Sequence, residues 1–344
     1  MQALQFHSQG NISEAAKYYQ YFINQGVKDH RIFSNYAIIL KDLGKLQEAE
    51  LSARKAIKLK PDYANAHSNL GNILRDLSKL KDAELSTRKA IELNPYLAEA
   101  HSNLGDILIN LGNSQEAEIY LRKAIELNPR LAEAHYNLGN ILRDLGKLEE
   151  AELYTRKAIK INHNFTYAYY NLGIILKGLS KLEEAELITR KAIKIEPDYA
   201  EAYLNLGVIL IDLGKLQEAE LYTRKAIELD PDLAKAYYVL SVLKYSDKNK
   251  IWQNKLFSKS ILNNKLKKDK IDIYFARANT LHKQKNYQNS SKFFQLANEL
   301  KLDLNPSNSD AFINQSRRLL IDSDKEEINK KECRNSSGCI FIVG

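Results

Sequence analysis

Cysteine is nearly absent: Cys333 and Cys339, close to the C-terminus, are the only two in 344 residues. No disulfide framework can staple such a chain, so its stability has to come from packing. Long apolar runs are missing as well, and none approaches the ~20 residues that a bilayer-crossing helix needs. With no charged-then-apolar leader at the start, the expectation is a soluble, cytoplasmic protein without a membrane span. There is no glycine-rich phosphate loop, no Ser/His/Asp order and no carboxylate pair standing apart from its surroundings. Catalysis is therefore not expected of this chain as given.

What is present is a period. Asn69-Leu70-Gly71 recurs at 103, 137, 171 and 205, a spacing of 34 residues held without a slip. A fixed period of this length marks one supersecondary unit stacked many times. Within the unit, apolar residues fall at Ala66, Leu70, Ile73, Leu74 and Leu77, then at Leu80, Ala83, Leu85, Ala90, Ile91 and Leu93. Steps of three and four residues predict two amphipathic helices per unit. Gly44, Gly112, Gly146 and Gly214 sit in the turn between them, where a left-handed residue closes a helix. Ser78 and Ser180 occupy the same slot less well. Gly71, Ala83 and Ala90 mark close helix approaches, and Pro61, Pro95, Pro129, Pro197 and Pro231 stop each second helix. His163 stands where one of these prolines would be.

Charge follows the period too. Arg54-Lys55 recurs as Arg88-Lys89, Arg122-Lys123, Arg156-Lys157, Arg190-Lys191 and Arg224-Lys225. Each arginine lies four residues after a glutamate, from Glu50 and Glu84 to Glu118, Glu152, Glu186 and Glu220, the favoured order for a helical ion pair. That predicts a self-neutralised face rather than a phosphate-binding stripe. The net charge of +8 is carried elsewhere: Ser241–Lys301 holds 13 Lys and one Arg against four acidic residues. Its aromatics Trp252, Phe257, Tyr274 and Phe275 have helical spacing and read as core, so no specific nucleic-acid partner is expected. Of the seven histidines, His67, His101 and His135 repeat at one helix position, which spreads them along a stack and excludes a converging metal site.

These residues resemble the tetratricopeptide repeat (TPR): Leu70, Gly71, Ala83, Ala90 and Pro95 stand where that family has its signature small, apolar and proline residues. His67, His101 or Tyr203 replaces its usual large aromatic. The resemblance implies an all-α fold, a right-handed TPR superhelix (α-solenoid) of about seven helix-pair repeats with a divergent C-terminal cap and a short tail. The expected organisation is a partial repeat over 1–29 and six 34-residue repeats over 30–233. Divergent lysine-rich helices and a last TPR-like repeat follow over 234–304, then a polar linker and the start of a truncated domain over 305–344. The resemblance also implies a concave groove that binds a protein or an extended peptide. Asn35, Asn69, Asn103, Asn137, Asn171 and Asn205 share one position and form the candidate ladder, since a carboxamide both donates to and accepts from a peptide backbone. The TPR arm of O-GlcNAc transferase, which the repeats also resemble, uses such a ladder. Asparagine in the slot where chaperone-tail clamps carry arginine disfavours that partner.

At the far end, the polar stretch from Ile321 to Ser337 leads into Ile340-Phe341-Ile342-Val343-Gly344, a β-branched run ending in glycine. Its pattern is that of a buried strand entering a phosphate-binding loop. The order of segments resembles TPR-containing sulfotransferases, whose donor is phosphoadenosine phosphosulfate. On that resemblance the chain is the substrate-recruiting arm of a larger enzyme, with no cofactor site of its own. A stand-alone interaction scaffold, or the arm of a glycosyltransferase, is the other expectation.

Overall fold

The computed structural model of the protein describes residues 5–6, 9–243 and 251–304. Met1, His7 and the whole of 305–344, with Cys333, Cys339 and the expected strand at Ile340–Gly344, lie outside the described residues. Among the described residues every regular element is helical, so the fold is the expected all-α solenoid of helix pairs. The chain divides into two compact units, one ending at Leu213 and one beginning at Gly214. That boundary falls inside the sixth expected repeat, between its two helices.

The first unit opens with α1 (Ile12–Asn24), the second helix of the partial repeat, capped by the Asn11 side chain, which accepts from the Glu14 amide at 3.3 Å. Five pairs follow: α2 (His30–Asp42) with α3 (Leu46–Leu59), α4 (Ala64–Asp76) with α5 (Leu80–Leu93), α6 (Ala98–Asn110) with α7 (Ser114–Leu127), α8 (Ala132–Asp144) with α9 (Leu148–Ile161), and α10 (Thr166–Gly178) with α11 (Leu182–Ile195). α12 (Ala200–Asp212) ends the unit. From α2 to α10 each first helix packs on its own second helix, on the second helix of the repeat before it and on the neighbouring first helices of the unit. The core is therefore a continuous strip of alanine, leucine and isoleucine, with Ala83, Ala90, Leu104, Ala117, Leu138 and Ala151 fully buried.

Close approach explains the glycine that recurs in the first helix from α4 to α10. A Cβ on Gly105 would lie 2.6 Å from Leu121 Cγ, and one on Gly71, Gly139 or Gly173 would collide with the hydroxyl of Thr87, Thr155 or Thr189. Those threonines cannot yield easily, because each donates back to a carbonyl in its own helix: Thr87 to Ala83 at 2.9 Å, Thr155 to Ala151 at 2.7 Å and Thr189 to Ala185 at 2.8 Å. The turn between the helices is equally uniform. Gly44 has φ +72°, with its amide on the Lys41 carbonyl and the next amide, of Lys45, on the Leu40 carbonyl. This double bond pattern closes the helix end. Ser78 (φ +59°) and Ser180 (φ +58°) make the same turn with a side chain in the left-handed region.

The helix stop needs no proline. Asn94, Asn128, Asn162 and Asp230 each fold their side-chain oxygen onto the amide two residues on, at 2.8–3.1 Å. α9 therefore ends in register although His163 takes the proline position, since Asn162 carries the turn. One sequence expectation is corrected. Leu85, counted with the apolar stripe of the second helix, is 68% exposed; it lies opposite Ala83, Thr87 and Ala90, and those three are the residues that face the core.

The second unit contains α13 (Leu216–Leu229), α14 (Ala234–Val242), α15 (Ile251–Phe257), a 3₁₀ turn over Ser260–Leu262, α16 (Lys267–Lys283) and α17 (Tyr287–Leu304). Ser241, in the glycine slot of α14, is fully buried and accepts from Asn279 Nδ2 at 3.1 Å. Trp252 and Leu256 of α15 are buried, and Arg277 of α16 donates to the Leu256 and Ser258 carbonyls at 2.9 Å. Trp252 is thus core, and Tyr274 and Phe275 stack on Phe293 and Phe294. Phe257 is 38% exposed at its edge but lies under the Arg277 guanidinium. α16 and α17 form a last repeat, with Lys285 at φ +61° in the turn slot and Ser290 Oγ bonded to the Ala278 carbonyl.

Two substitutions follow from this geometry. Ser78→Gly and Ser180→Gly should each stabilise the protein by about 1 kcal/mol, because a left-handed residue with a Cβ is strained by roughly that amount. Gly139→Ala should cost about 1–3 kcal/mol by forcing α8 away from Thr155. Urea unfolding followed by circular dichroism would test both; a lower midpoint for the serine variants, or an unchanged one for Gly139→Ala, contradicts the account.

Candidate peptide-binding groove

The six ladder asparagines lie on α2, α4, α6, α8, α10 and α12, at one helix position each. Their amides do not behave alike. Asn69 Nδ2 donates to Ser34 Oγ at 3.0 Å, and Asn103 Nδ2 to Ser68 Oγ at 3.1 Å, each linking one first helix to the next. Asn205 Nδ2 reaches Thr189 Oγ1 at 3.3 Å. Asn171 is buried, its Oδ1 accepts from Arg143, and its Nδ2 has no partner. Asn35 and Asn137 are half-buried.

A groove of about 460 Å³ in the first unit is lined by Asn103 and Asn137 of the ladder. Around them stand residues that the repeat pattern does not announce: Asn72, Arg75, Asp106, Tyr136 and Phe165 among others. They occupy the same helix faces, since Asn72 and Asp106 follow a ladder asparagine by three residues and Tyr136 precedes one directly. These positions change from repeat to repeat while the ladder and core stay fixed, and that contrast was the available signal. Arg75 is held by Asp76 at 2.7 Å and by Asp106. The Asn72 Oδ1 is buried without a partner, and the Asn72 residue is part of the groove's lining. On its other side Tyr136 packs on Phe165 with ring centroids 4.9 Å apart. Beyond them Tyr170 and Tyr167 pack on Tyr199 at 5.2 and 5.4 Å. Burial pushes the Tyr170 and Tyr199 phenols up, so both stay neutral.

The periodic arginines behave as expected and do more. All six Glu-to-Arg pairs form, at 2.7–2.8 Å. Arg88, Arg122 and Arg156 also reach the next repeat, contacting Glu116, Glu150 and Glu184 at 2.7, 3.1 and 2.6 Å. The Glu50 carboxyl is held below its usual range, first by the hydrogen bond from Lys79 across the repeat boundary.

The histidines are structural. His67, His101 and His135 each place Nε2 2.8–3.0 Å from the carbonyl of Pro61, Pro95 or Pro129, six residues back. Tyr237 does the same with its hydroxyl to Pro231 at 2.9 Å. A carbonyl only accepts, so Nε2 carries the proton, and the Nδ1 lone pairs of His101 and His135 are buried without a partner. No cluster of metal-ligating residues occurs among the described residues, and no described helix is long and apolar enough to cross a membrane.

Family models described as tetratricopeptide repeats match residues 132–165 and 200–233, and, in a second form, 64–96, 98–131, 166–199 and 271–304. A further TPR repeat model matches 39–78. The chain belongs to the tetratricopeptide repeat family. No curated protein matches it in sequence. Among solved structures, a chain of the APC/C hetero-tetramer Cut9–Hcn1 is similar to this TPR protein at 15% identity and TM-score 0.64, over 69% of this chain and 47% of that one. The present chain thus spans about half of that relative's length. PilF of Pseudomonas aeruginosa is similar at 20% identity and TM-score 0.54, over 59% and 92% of the two chains. Both share the fold. YrrB, described as a TPR protein with an unusual peptide-binding site, matches at 27% identity and TM-score 0.45 over 52% and 93%.

The TPR histidines generate a pH prediction. Burial holds His135 below the ordinary histidine value near 6.5, so the unfolded chain takes up the proton first. The stability tied to neutral His135 is complete above that ordinary value and is lost as pH falls through it toward the lower folded value. His135→Tyr keeps the bond to Pro129, as Tyr237 does for Pro231, without the titration. The stability of the wild type relative to His135→Tyr should fall between pH 7 and about 5. A difference that stays constant across this range contradicts the assignment.

Proposed function

We propose that the first-unit groove holds an extended segment of a partner protein, gripped by Asn103 and Asn137 and anchored by an apolar side chain on Tyr136 and Phe165. The observation that carries this reading is the groove itself: the carboxamide residues Asn72, Asn103 and Asn137 and a tilted aromatic pair line one volume of about 460 Å³. Carboxamides serve a peptide backbone in both directions, and the aromatic wall supplies the apolar contact that gives a backbone-reading site its preference. In the lining, Lys41 and Arg75 stand with Glu99, Asp106 and Glu133, a near-balance of charge that favours a segment without strong net charge. The full ladder from Asn35 to Asn205 does not share this role equally: Asn103 and Asn137 line the groove, Asn69 and Asn205 do not, and Asn171 serves Arg143.

The chain is on this reading an interaction scaffold. The sulfotransferase resemblance of the C-terminal stretch finds no support in the family matches, all of which are TPR models. The recruiting-arm role, and the donor nucleotide that goes with it, therefore stay outside this proposal.

Selection of peptides from a random displayed library on the whole chain tests it. Selected peptides should bind Asn103→Ala/Asn137→Ala about 5–150-fold more weakly, the loss of two hydrogen bonds worth about 0.5–1.5 kcal/mol each. Helicity should be unchanged. Asn69→Ala, outside the groove's lining, should have a smaller effect. A library that yields no binder, or binders indifferent to both groove substitutions, overturns the reading.

A further inference from the structure

On the second helices of the five complete pairs of the first unit, the face turned away from the core carries one apolar residue per repeat at a single position: Leu51, Leu85, Ile119, Leu153 and Leu187. Their exposures are 70, 68, 67, 51 and 56%, so this row is in water at every repeat. Isolated exposed leucines are ordinary on protein surfaces. Five at one repeat position are not scatter. Simple copying of the repeat does not account for them either, because the exposed position four residues earlier changes freely, from Gln47 and Lys81 to Gln115, Glu149 and Glu183. The apolar position changes only between leucine and isoleucine.

Two charged rows flank it. Three residues before each apolar residue stands an acid: Glu48, Asp82, Glu116, Glu150 and Glu184. Four residues after it stands a lysine: Lys55, Lys89, Lys123, Lys157 and Lys191. At those spacings all three side chains lie on one helix face in line along the axis. The surface is therefore an acidic row, an apolar row and a basic row running side by side. Glu116, Glu150 and Glu184 meet the arginines of the preceding repeat through one carboxylate oxygen each, and Lys89 and Lys123 pair with Glu92 and Glu126 of their own helices, yet all five side chains stay 41–50% exposed.

We infer that this face is a self-association surface, and that its occupant is the same face of a second copy of the chain. The argument is complementarity. Placing two copies face to face about a two-fold axis that lies along the apolar row sets leucine against leucine. The same operation sets each acidic row against the partner's basic row, on both flanks at once. An isologous two-fold contact requires a self-complementary patch of this kind. A two-fold axis across the row instead would oppose like charges, so charge selects the orientation and the apolar row supplies the affinity. The inference is independent of the peptide groove, which lies on the first helices.

Sedimentation equilibrium of the 344-residue chain over a concentration series tests it. The wild type should dimerise reversibly. Leu85→Gln/Ile119→Gln/Leu153→Gln should weaken the dimer about tenfold or more with unchanged far-ultraviolet circular dichroism, as loss of three exposed apolar contacts requires. Two charge variants give a second, independent reading. Lys89→Glu/Lys123→Glu/Lys157→Glu and Asp82→Lys/Glu116→Lys/Glu150→Lys should each be monomeric alone, and mixing them should restore a one-to-one heterodimer. A wild type that remains monomeric, a dimer indifferent to the three glutamines, or a mixture no more associated than its components overturns the inference.

Discussion

In four successive helix pairs of this protein, from α4–α5 to α10–α11, the separation leaves no room for a Cβ at one point of the first helix. Gly71, Gly105, Gly139 and Gly173 meet Thr87, Leu121, Thr155 and Thr189 there. The rest of the architecture depends on that spacing. With the backbones this close, alanine suffices to fill the space at the other contact points, and Ala83, Ala90, Ala117, Ala124, Ala151 and Ala158 are all fully buried. Small residues bury little apolar surface individually. A single pair would not close a core, and stability accumulates only as each pair covers the open side of its neighbour.

The side chains that cross from one repeat to the next divide into two sets. On the second helices, arginines answer glutamates in their own helix and in the following repeat. On the first helices, asparagines answer serines of the preceding one, as Asn69 does Ser34 and Asn103 does Ser68. Half-exposed ion pairs of this type contribute little each. Their geometric effect is larger, because a planar guanidinium held by two carboxylates allows one relative placement of successive second helices. The groove inherits its shape from these constraints and its chemistry from the positions left free to vary.

The fold was legible because its determinants are periodic. The left-handed turn could be read at Gly44 and also at Ser78 and Ser180, since register alone placed them. The site was legible only in part. Asn103 and Asn137 were identified and do line the groove, but the serines that engage Asn69 and Asn103 lie 35 residues away and become neighbours only when helices stack. Arg75, Asp106, Tyr136 and Phe165 escaped because a reading that superimposes repeats averages out the positions where they differ. Leu85 was misplaced for another reason: its spacing fits an amphipathic stripe, and only the direction of the neighbouring helix shows that the stripe ends at Ala83, Thr87 and Ala90.

The arginine bridges have a consequence for the length of the array. Each joins an arginine to a glutamate 28 residues ahead, as in Arg88 to Glu116 and Arg122 to Glu150. Excising residues 98–131, one whole period, would bring Glu150 to the distance along the chain at which Glu116 now stands from Arg88. That bridge would be rebuilt from the same residue types, and Asn137 would find Ser68 as Asn103 does now, whereas Arg75 would meet Asn140 in place of Asp106. Such an array can lengthen or shorten by whole units through recombination of its coding sequence, keeping its arginine and asparagine junctions and changing the groove. The number of repeats is then free to be set by the span of whatever the protein must reach.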